Sequence, residues 1–434
     1  MTSLKSKKIG VLGLWHLGSV YTACLAKQGF DVVGFDLKKS VIESLSLGIP
    51  PIFEPDLEQL IKSNLNKNLH FTSISEDAIS DKDYVFITID TPVNNQDKVQ
   101  LKVVYDLFNL IKKYISPKTV LIISSQIPVG TCRVLQNQFK KLGKRIPIIY
   151  FPENLRLGQA IQTFSKPDRI IIGADDEKIR SQFTKDFTFF NCPVLEMNIE
   201  SAEMSKHAMN AYLATMISFS SEISDFCEYT GADALEVMRS LKADARVSPG
   251  APLGSGIGFA GGTLGRDLQT LKRLAKKQNY NPQLVKAVYS VNQSRLPRLL
   301  KTIKKTMGTV KNKKIGLLGL TYKPGTDTLR RSQSLELASM LKDQGAIIRA
   351  IDPAIKKEIK NYEFISVVKN QDELFENLDA VILMTWWDEF KALDPKVSAC
   401  LMKNKIIFDT RNFLDKKRYE KDGFLYIGIG QGKI

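Results

Sequence analysis

Apolar and polar positions follow one another along the chain in two patterns, each typical of one kind of element. Short apolar runs bounded by polar or glycine residues predict buried strands, and apolar residues at helical spacing predict helices. A strand, a turn, a helix and a second strand occupy residues 7–37 and predict one βαβ unit. Further strand-like runs, separated by helical segments, occur at 83–90, 119–125, 146–151 and 169–174. This alternation predicts a mostly parallel, doubly wound sheet.

The pattern changes at about residue 201, where a helical stretch of roughly 30 residues, or ~45 Å, runs without Gly or Pro until Gly231. A second strand-turn begins at residue 313, followed by a helix and by a strand that ends in Asp352. We therefore predict an α/β fold with two Rossmann-like doubly wound domains, joined by a central helical region that contains a long spine helix. The predicted boundaries are 1–200, 201–300 and 301–434.

Composition and charge narrow the class of protein. The chain has 434 residues, of which 43% are hydrophobic and 25% charged, enough to bury cores for two or three domains. The net charge of +16 favours an anionic partner, but the lysines form scattered doublets with no basic stripe and no interleaved aromatic residues. The charge therefore indicates phosphorylated small molecules or a solvated lysine-rich surface, and we expect no nucleic acid partner.

Several other kinds of site are not indicated by the sequence. No apolar run approaches the ~18 residues of a membrane span and no cleavable signal pattern is evident, so we expect no membrane contact and a cytoplasmic location. The five cysteines are scattered without a CxxC pair, and only three histidines accompany them. We therefore expect neither a disulfide framework nor a metal site.

The first turn carries an incomplete dinucleotide-binding pattern. It reads Gly13-Leu14-Trp15-His16-Leu17-Gly18, and Asp36 follows Gly13 by 23 residues, close to the ~20-residue offset at which an acidic side chain meets a ribose hydroxyl. Asp36 indicates that the cofactor is NAD, although the neighbouring Lys38 and Lys39 leave NADP as an alternative cofactor. Trp15 stands where the second glycine would let a pyrophosphate approach the backbone. The indole must swing away, or the dinucleotide must shift, or it does not bind.

Short segments spread over the whole chain match, in order and spacing, those of one enzyme family. They are Phe53-Glu54-Pro55, Thr91-Pro92, Pro128-Val129-Gly130-Thr131, Pro152-Glu153, Leu155-Arg156, Pro167-Asp168-Arg169, Lys206 to Asn210, Asp244-Ala245-Arg246, Gly256 to Phe259, Lys323-Pro324, Asp327, Arg330 and Arg411-Asn412. The chain thus resembles the UDP-glucose/GDP-mannose dehydrogenase superfamily, whose members use two NAD to oxidise the C6 hydroxyl of a nucleotide sugar to a carboxylate. The resemblance implies an NAD domain, a helical dimerisation centre, a C-terminal domain for the UDP moiety, and a homodimer or higher homo-oligomer.

The resemblance also implies roles for individual residues. Lys206 and Asn210, four apart on one helical face, would steady the oxyanion at C6, because such an oxyanion needs a fixed cation and an amide donor. Glu153 would be a general base toward water, and Asp267 would share the proton handling. Cofactor contacts are implied for Thr91, Arg266 and Arg330. Substrate contacts are implied for Leu155, Gly258, Phe259, Lys323 and Arg411, and for Arg246, which would reach the sugar of the neighbouring subunit.

The segment GFAGGTLGRD at 258–267 departs from the family motif G-F-G-G-S-C-F-P-K-D. The family's cysteine nucleophile is replaced by Thr263, and Arg266 stands for the lysine. A thiolate traps the C6 aldehyde and leads to a thioester, whereas the threonine hydroxyl is a poor nucleophile without an adjacent base and no histidine lies in the motif. Gln126 likewise replaces a threonine that orients a water in the family. These departures predict altered chemistry.

Three outcomes remain open from the sequence. The enzyme could complete both oxidations through a hydrated aldehyde, with water activated by Glu153. It could stop after one two-electron step, or return the hydride as a redox-neutral epimerase. It could also bind a nucleotide sugar without turnover, as a regulatory or scaffold protein. We expect oxidoreduction of a UDP-hexose type of nucleotide sugar with NAD, because Asp36, Lys206, Asn210, Glu153 and Asp267 are all present.

Overall fold

The structure is a computed structural model that describes residues 7–91, 100–152, 154–260 and 262–432. Glu153 and Pro92, both named in the sequence-based predictions, lie outside the described residues. The chain divides into two compact units, Met1–Ala208 and Met209–Ile434.

The first unit alternates strands and helices. Its strands are β1 (Lys8–Leu12), β2 (Asp31–Phe35), β3 (Leu69–Thr72), β4 (Tyr84–Ile87), β5 (Val120–Ile123), β6 (Ile148–Tyr150), β7 (Ile170–Gly173) and β8 (Val194–Met197). Its helices are α1 (His16–Lys27), α2 (Lys39–Ser46), α3 (Leu57–Asn64), α4 (Ser75–Ile79), α5 (Lys102–Tyr114), α6 (Thr131–Lys141), α7 (Ala160–Ser165) and α8 (Glu177–Asp186), with a 3₁₀ turn at Thr188–Phe190.

The first sheet has the strand order β3-β2-β1-β4-β5-β6-β7-β8 and is parallel except between β6 and β7. In register, Ile9 of β1 pairs with Val32 of β2 and with Tyr84 of β4. Every residue of β4 and β5 is buried, as expected for strands covered by helices on both faces. Each face packs its own apolar core. The predicted doubly wound sheet is confirmed.

The second unit contains more helices and a second sheet. Helix α9 (Ile199–Thr230) begins in the first unit and continues into the second. The helices that follow it are α10 (Ala234–Ala243), α11 (Leu264–Lys277), α12 (Gln283–Met307), α13 (Gln333–Asp343), α14 (Gln371–Phe375), α15 (Pro395–Leu401) and α16 (Lys416–Lys421). The strands are β9 (Lys314–Leu318), β10 (Ile347–Ile351), β11 (Ile365–Val367), β12 (Ala380–Leu383), β13 (Ile406–Asp409) and β14 (Leu425–Gly428), with a 3₁₀ turn at Asp388–Ala392. They form a parallel sheet in the order β11-β10-β9-β12-β13-β14, which confirms the second predicted Rossmann-like sheet.

The predicted spine helix is α9, which has 32 residues. Its later half is fixed by ion pairs to α12. The Arg295 guanidinium nitrogens lie 2.7 and 2.9 Å from the two carboxylate oxygens of Asp225, and Arg298 Nη2 lies 2.7 Å from Glu228 Oε2. In the part of the chain that the structure describes, no helix combines the length and the hydropathy of a membrane span.

The turn after β9 is held by the acid at the end of β10. Asp352 Oδ2 accepts hydrogen bonds from the amides of Leu320 and Thr321, at 2.7 and 3.0 Å, and from Trp387 Nε1 at 3.2 Å. Asp352 is buried, so these donors compensate the cost of burying its charge. The strand-end acid that the sequence singled out thus shapes a loop at the carboxyl edge of the second sheet.

Candidate active site

Two glycines of the first turn are required by the fold itself. Gly13 has φ +97°, and a Cβ there would lie 2.7 Å from Ile89 Cα. A Cβ on Gly18 would lie 1.9 Å from the carbonyl oxygen of Gly13, because α1 packs closely against the turn. Neither position admits a larger residue, so the first and last glycines of the pattern keep their usual structural roles.

Trp15 occupies the remaining glycine position without backbone strain. Its φ of −74° suits any residue, and 47% of its surface is exposed. No side chain caps the N-terminus of α1, so the first backbone amides of that helix can donate hydrogen bonds to a bound anion. The backbone of the turn therefore fits a pyrophosphate, and the exposed indole is the one feature of the turn that departs from such a site.

Asp36, at the end of β2, is tied to the same turn. Its Oδ2 accepts from the Leu14 amide at 2.8 Å, and its Oδ1 accepts from the Lys38 amide at 2.9 Å. An ionised carboxylate has about four acceptor positions, so capacity remains for ribose hydroxyls. The structure brings Asp36 to the turn, as the spacing predicted.

A buried carboxylate for which the sequence indicated no role, Glu54, links this turn to a second loop. Glu54 Oε2 lies 2.8 Å from His16 Nε2 and 2.9 Å from the Gly158 amide, and Oε1 accepts from the Ala160 amide at 2.7 Å. Burial alone would raise the pKa of Glu54, but the hydrogen bonds from His16, Ala160 and Gly158 outweigh it and lower the pKa. Glu54 appeared in the sequence only within a matching segment, which gave no sign of these contacts.

Thr91, which follows β4, and Gln126, which follows β5, meet at the carboxyl ends of these two strands. Thr91 Oγ1 donates to the Gln126 carbonyl oxygen at 2.8 Å, and both residues are buried. Leu155 is half-buried and packs against the core on one face of the sheet. The predicted cofactor residue Thr91 and the predicted catalytic residue Gln126 are therefore neighbours.

The first turns of α9 are anchored on the loop before α6. Glu203 accepts hydrogen bonds from the amides of Gly130 and Cys132, at 2.5 and 2.9 Å, and His207 Nε2 lies 2.9 Å from the Ile127 carbonyl oxygen. Burial raises the pKa of Glu203 in spite of these hydrogen bonds. The residue between these anchors, Lys206, is itself buried, so its backbone position is fixed within the first unit.

The second unit brings Asn210 and Asp267 together. Asn210 Nδ2 donates to Asp267 Oδ2, and both residues are buried. Thr263 immediately precedes α11, and its carbonyl oxygen accepts from the Asp267 amide at 3.2 Å. Its side chain is exposed and caps no backbone amide. Arg266 is buried one position before Asp267, so the glycine-rich segment ends in a buried pair of opposite charges.

The glycine-rich segment also approaches Arg330. A Cβ on Gly262 would lie 3.7 Å from Arg330 Nε. Phe259 is held by Asn292, whose Oδ1 accepts from the Phe259 amide at 2.8 Å, and a Cβ on Gly258 would lie 2.2 Å from that same Oδ1. Arg330 therefore lies next to the segment that carries Thr263.

Three further predicted substrate residues have different surroundings. Arg411 Nη1 lies 3.4 Å from the Gly258 carbonyl oxygen, which ties it to the glycine-rich segment. Lys323 Nζ lies 5.9 Å from the ring centre of Tyr322. Arg246 is exposed and pairs with Asp244, with Nε 2.9 Å from Oδ1 and Nη2 2.8 Å from Oδ2. This pair lowers the pKa of Asp244 to about 2.

None of the five cysteines lies in the glycine-rich segment. Cys24, Cys132 and Cys227 are buried, Cys192 is half-buried and Cys400 is exposed. Burial raises the pKa of Cys24 to about 12 and that of Cys132 well above its ordinary value, so both remain thiols at neutral pH.

Comparison with known protein families gives three matches that together span most of the chain. Residues 7–190 match the UDP-glucose/GDP-mannose dehydrogenase family, NAD binding domain; residues 200–294 match the central domain of that family; and residues 316–416 match its UDP binding domain.

Individual relatives cover nearly the full length. The chain is 32% identical over 434 residues to UDP-glucose 6-dehydrogenase TuaD of Bacillus subtilis, covering 99% of this chain and 94% of the relative. It is 33% identical over 435 residues to UDP-glucose 6-dehydrogenase of Rhizobium meliloti, covering 98% and 99%. Among solved structures, a UDP-glucose dehydrogenase from Pyrobaculum islandicum superposes with a TM-score of 0.89 at 27% identity, covering 100% of this chain and 99% of the other.

Proposed function

Because the chain belongs to the UDP-glucose/GDP-mannose dehydrogenase family, whose members are NAD-dependent nucleotide-sugar dehydrogenases, we propose that it oxidises the C6 carbinol of a UDP-hexose. The second, thioester step of the family is altered or missing. The observation that carries this proposal is the buried Asn210–Asp267 pair at the start of α11, with the exposed Thr263 hydroxyl at the position of the family's nucleophile.

The proposed roles follow from donor and acceptor capacity. One N–H of Asn210 Nδ2 is given to Asp267, and its second N–H remains for a substrate oxygen. Lys206, four residues earlier on α9, supplies the cation that a developing alkoxide needs. Asp267 takes part in removing the hydroxyl proton. Bound along residues 13–18 and Asp36, NAD would accept the hydride that leaves C6.

With Thr263 at the position of the family's cysteine, this chain does not follow the thioester mechanism. The Thr263 backbone carbonyl oxygen accepts from the Asp267 amide at 3.2 Å, and the Asp267 carboxylate already accepts from Asn210. No histidine lies within 258–267 to remove the proton of the Thr263 hydroxyl. The first oxidation yields an aldehyde and one NADH. A second oxidation must proceed from the aldehyde hydrate, for which Glu153 would activate the water. No acyl-enzyme then forms at any stage.

The experiment is a count of NADH per nucleotide sugar. The purified protein is supplied with limiting UDP-hexose and excess NAD, the absorbance of NADH is followed to completion, and the product is identified by mass spectrometry. One NADH with an aldehyde product supports a single oxidation, and two NADH with a uronate support the hydrate route. A changed sugar without NADH would indicate a redox-neutral epimerase and would contradict the proposal.

Thr263→Cys gives a sharper prediction. With NAD in excess, we expect the thiolate of this variant to attack the aldehyde and form a thiohemiacetal, because a thiolate is a far better nucleophile than a hydroxyl. Loss of a hydride from this adduct to a second NAD then gives a sugar thioester, which mass spectrometry of quenched enzyme detects at residue 263. We expect neither the natural chain nor the matched control Thr263→Ser to form an adduct. An acyl adduct on the natural Thr263 would show that our interpretation of this position is wrong.

The second candidate function, a nucleotide-sugar-binding regulatory or scaffold protein, is favoured by the exposed Trp15 in the cofactor turn. NAD binding separates the two. Calorimetry of the natural chain should detect NAD binding if the protein is an oxidoreductase. A chain that binds UDP but no NAD would be a binding protein.

We also propose a homodimer or higher homo-oligomer, with NAD-binding, central and UDP-binding domains at 1–200, 201–300 and 301–434. Tyr212, Phe219 and Phe226 are large exposed side chains at seven-residue intervals on α9, so they share one face of that helix. A contiguous exposed apolar face is typical of a subunit interface. Arg246, whose side chain is 89% exposed, is available to reach the substrate of a neighbouring subunit.

A further inference from the structure

Arg411 lies two residues after β13, at the carboxyl edge of the second sheet, and has only neutral hydrogen-bond acceptors. Its Nη1 lies 3.4 Å from the Gly258 carbonyl oxygen, and its Nη2 lies 3.2 Å from Gln333 Oε1. Its Nε is buried without a hydrogen-bond partner in the described part of the chain. A guanidinium has five N–H donors, so most of its donor capacity is unused within the protein.

The charge of Arg411 is also unpaired among the described residues. The neighbouring carboxylate, Asp409, accepts from the Arg411 backbone amide at 2.9 Å, and its other oxygen accepts from the amides of Phe413 and Leu414 and from the Tyr426 hydroxyl. Burial lowers the pKa of Arg411 to about 10, and the charge of Asp409 offsets only part of this effect. A half-buried guanidinium without a carboxylate partner is costly unless a ligand supplies the anion.

Two side chains hold this guanidinium in place. Its carbon lies 4.7 Å from the ring centre of Trp386, which follows β12. Gln333 is the first residue of α13, and its Nε2 donates to the Ile257 carbonyl oxygen at 2.6 Å, which directs Oε1 toward Arg411. A Cβ on Gly256 would lie 3.3 Å from Arg411 Nη1, so this glycine also makes room for the group.

The place of this cluster in the sheet agrees with a ligand site. Strand order reverses between β9 and β12, and ligands of open parallel sheets bind outside the carboxyl ends of the strands at such a switch point. Trp386 and Arg411 follow the carboxyl ends of β12 and β13, which are neighbours in the sheet. The unpaired cation is therefore held at the sheet edge where a nucleotide is expected.

We propose that Trp386 and Gln333 are positioning residues that hold the Arg411 guanidinium for an oxygen of the substrate's diphosphate. The indole face fixes the plane of the guanidinium through a cation–π contact, and the amide oxygen fixes its rotation. The ligand class rests on the proposed function, but binding of UDP can be measured without NAD and without turnover.

The test measures UDP and uridine binding to the full chain by calorimetry. We expect Trp386→Ala and Gln333→Ala each to weaken UDP binding about tenfold, because the guanidinium is no longer held in place, whereas Trp386→Phe retains a stacking face and stays within about threefold of the natural chain. Uridine affinity should not change in any of these variants, because uridine carries no diphosphate.

A double-mutant comparison separates positioning from general structural damage. In an Arg411→Gln background, Trp386→Ala should weaken UDP binding by no more than about twofold, because the group that it positions is gone. Equal losses of UDP and uridine affinity, full additivity with Arg411→Gln, or no UDP binding by the natural chain would each overturn the inference. If the natural chain binds UDP but oxidises no UDP-sugar, the proposed function is wrong. The UDP affinities of the variants still test the inference in that case, because they are measured without turnover.

Discussion

At the scale of single residues, the cofactor turn distinguishes two glycine positions that the fold requires from one position where glycine is needed only for cofactor binding. Gly13 and Gly18 are fixed by contacts inside the fold, whereas the position of Trp15 has an ordinary φ of −74° and carries an exposed side chain. The fold therefore tolerates a tryptophan where only the pyrophosphate requires glycine. The consequence of this substitution must appear in NAD binding and not in stability.

Trp15→Gly tests this distinction. We expect NAD to bind about tenfold more tightly, because removal of the indole lets the pyrophosphate reach the helix amides. The matched control Trp15→Phe keeps a bulky ring and should bind NAD like the natural chain. Isothermal titration calorimetry gives both dissociation constants. Weaker binding by the glycine variant than by the natural chain would mean that the indole contacts the cofactor favourably.

At the scale of elements, α9 has a set of polar residues that bind other parts of the chain and a set of aromatic residues that stay exposed. The sequence pattern alone did not distinguish these two sets. Its first turns carry Glu203 and His207, whose hydrogen bonds anchor the loop before α6, and its later turns carry Asp225, which pairs with Arg295. The aromatic residues at 212, 219 and 226 remain exposed. An apolar face left over after all these contacts is available for a second copy of the chain.

Charges on this face should separate the subunits. We expect the double variant Phe219→Glu/Phe226→Glu to be monomeric, because four carboxylates would have to be buried at the interface of a two-fold dimer. Light scattering coupled to size-exclusion chromatography measures the mass. The control Tyr280→Glu changes an aromatic residue outside α9 that is at least as exposed, and it should leave the mass unchanged. A natural chain that is already monomeric at micromolar concentration would contradict the proposed dimer.

At the scale of the whole molecule, the sequence predicted most of the architecture and less of the site. Hydrophobic periodicity located both sheets and the spine helix because these depend on local patterns, and the spacing of Asp36 placed it correctly at the turn. The contacts of Glu54 with His16, and of Arg411 with Trp386 and Gln333, join segments that are tens of residues apart. No periodicity reports such contacts, because they depend on which loops the sheet order brings to one edge.

Glu54 also makes the acid stability of the first unit predictable. Its pKa is lowered in the folded state, so the folded chain binds fewer protons at this site than the unfolded chain. The stabilisation is therefore complete above the unfolded pKa of about 4.3 and is lost as the pH falls through the folded pKa. With two compact units, a single unfolding midpoint would mix their stabilities.

Hydrogen exchange of peptides from α1 and α7 reports on this unit directly. At pH 7 we expect Glu54→Gln to lower the protection free energy of these peptides by about 1–3 kcal/mol, because an amide replaces a buried carboxylate that accepts three hydrogen bonds. After correction for intrinsic exchange rates, the difference should shrink progressively as the pH falls below about 4.3 and through the lowered folded-state pKa of Glu54. Glu58→Gln, which alters an exposed residue paired with Lys62, is the matched control and should change protection little over the same pH range. A difference that grows with acidity would reverse the assigned direction of the Glu54 pKa.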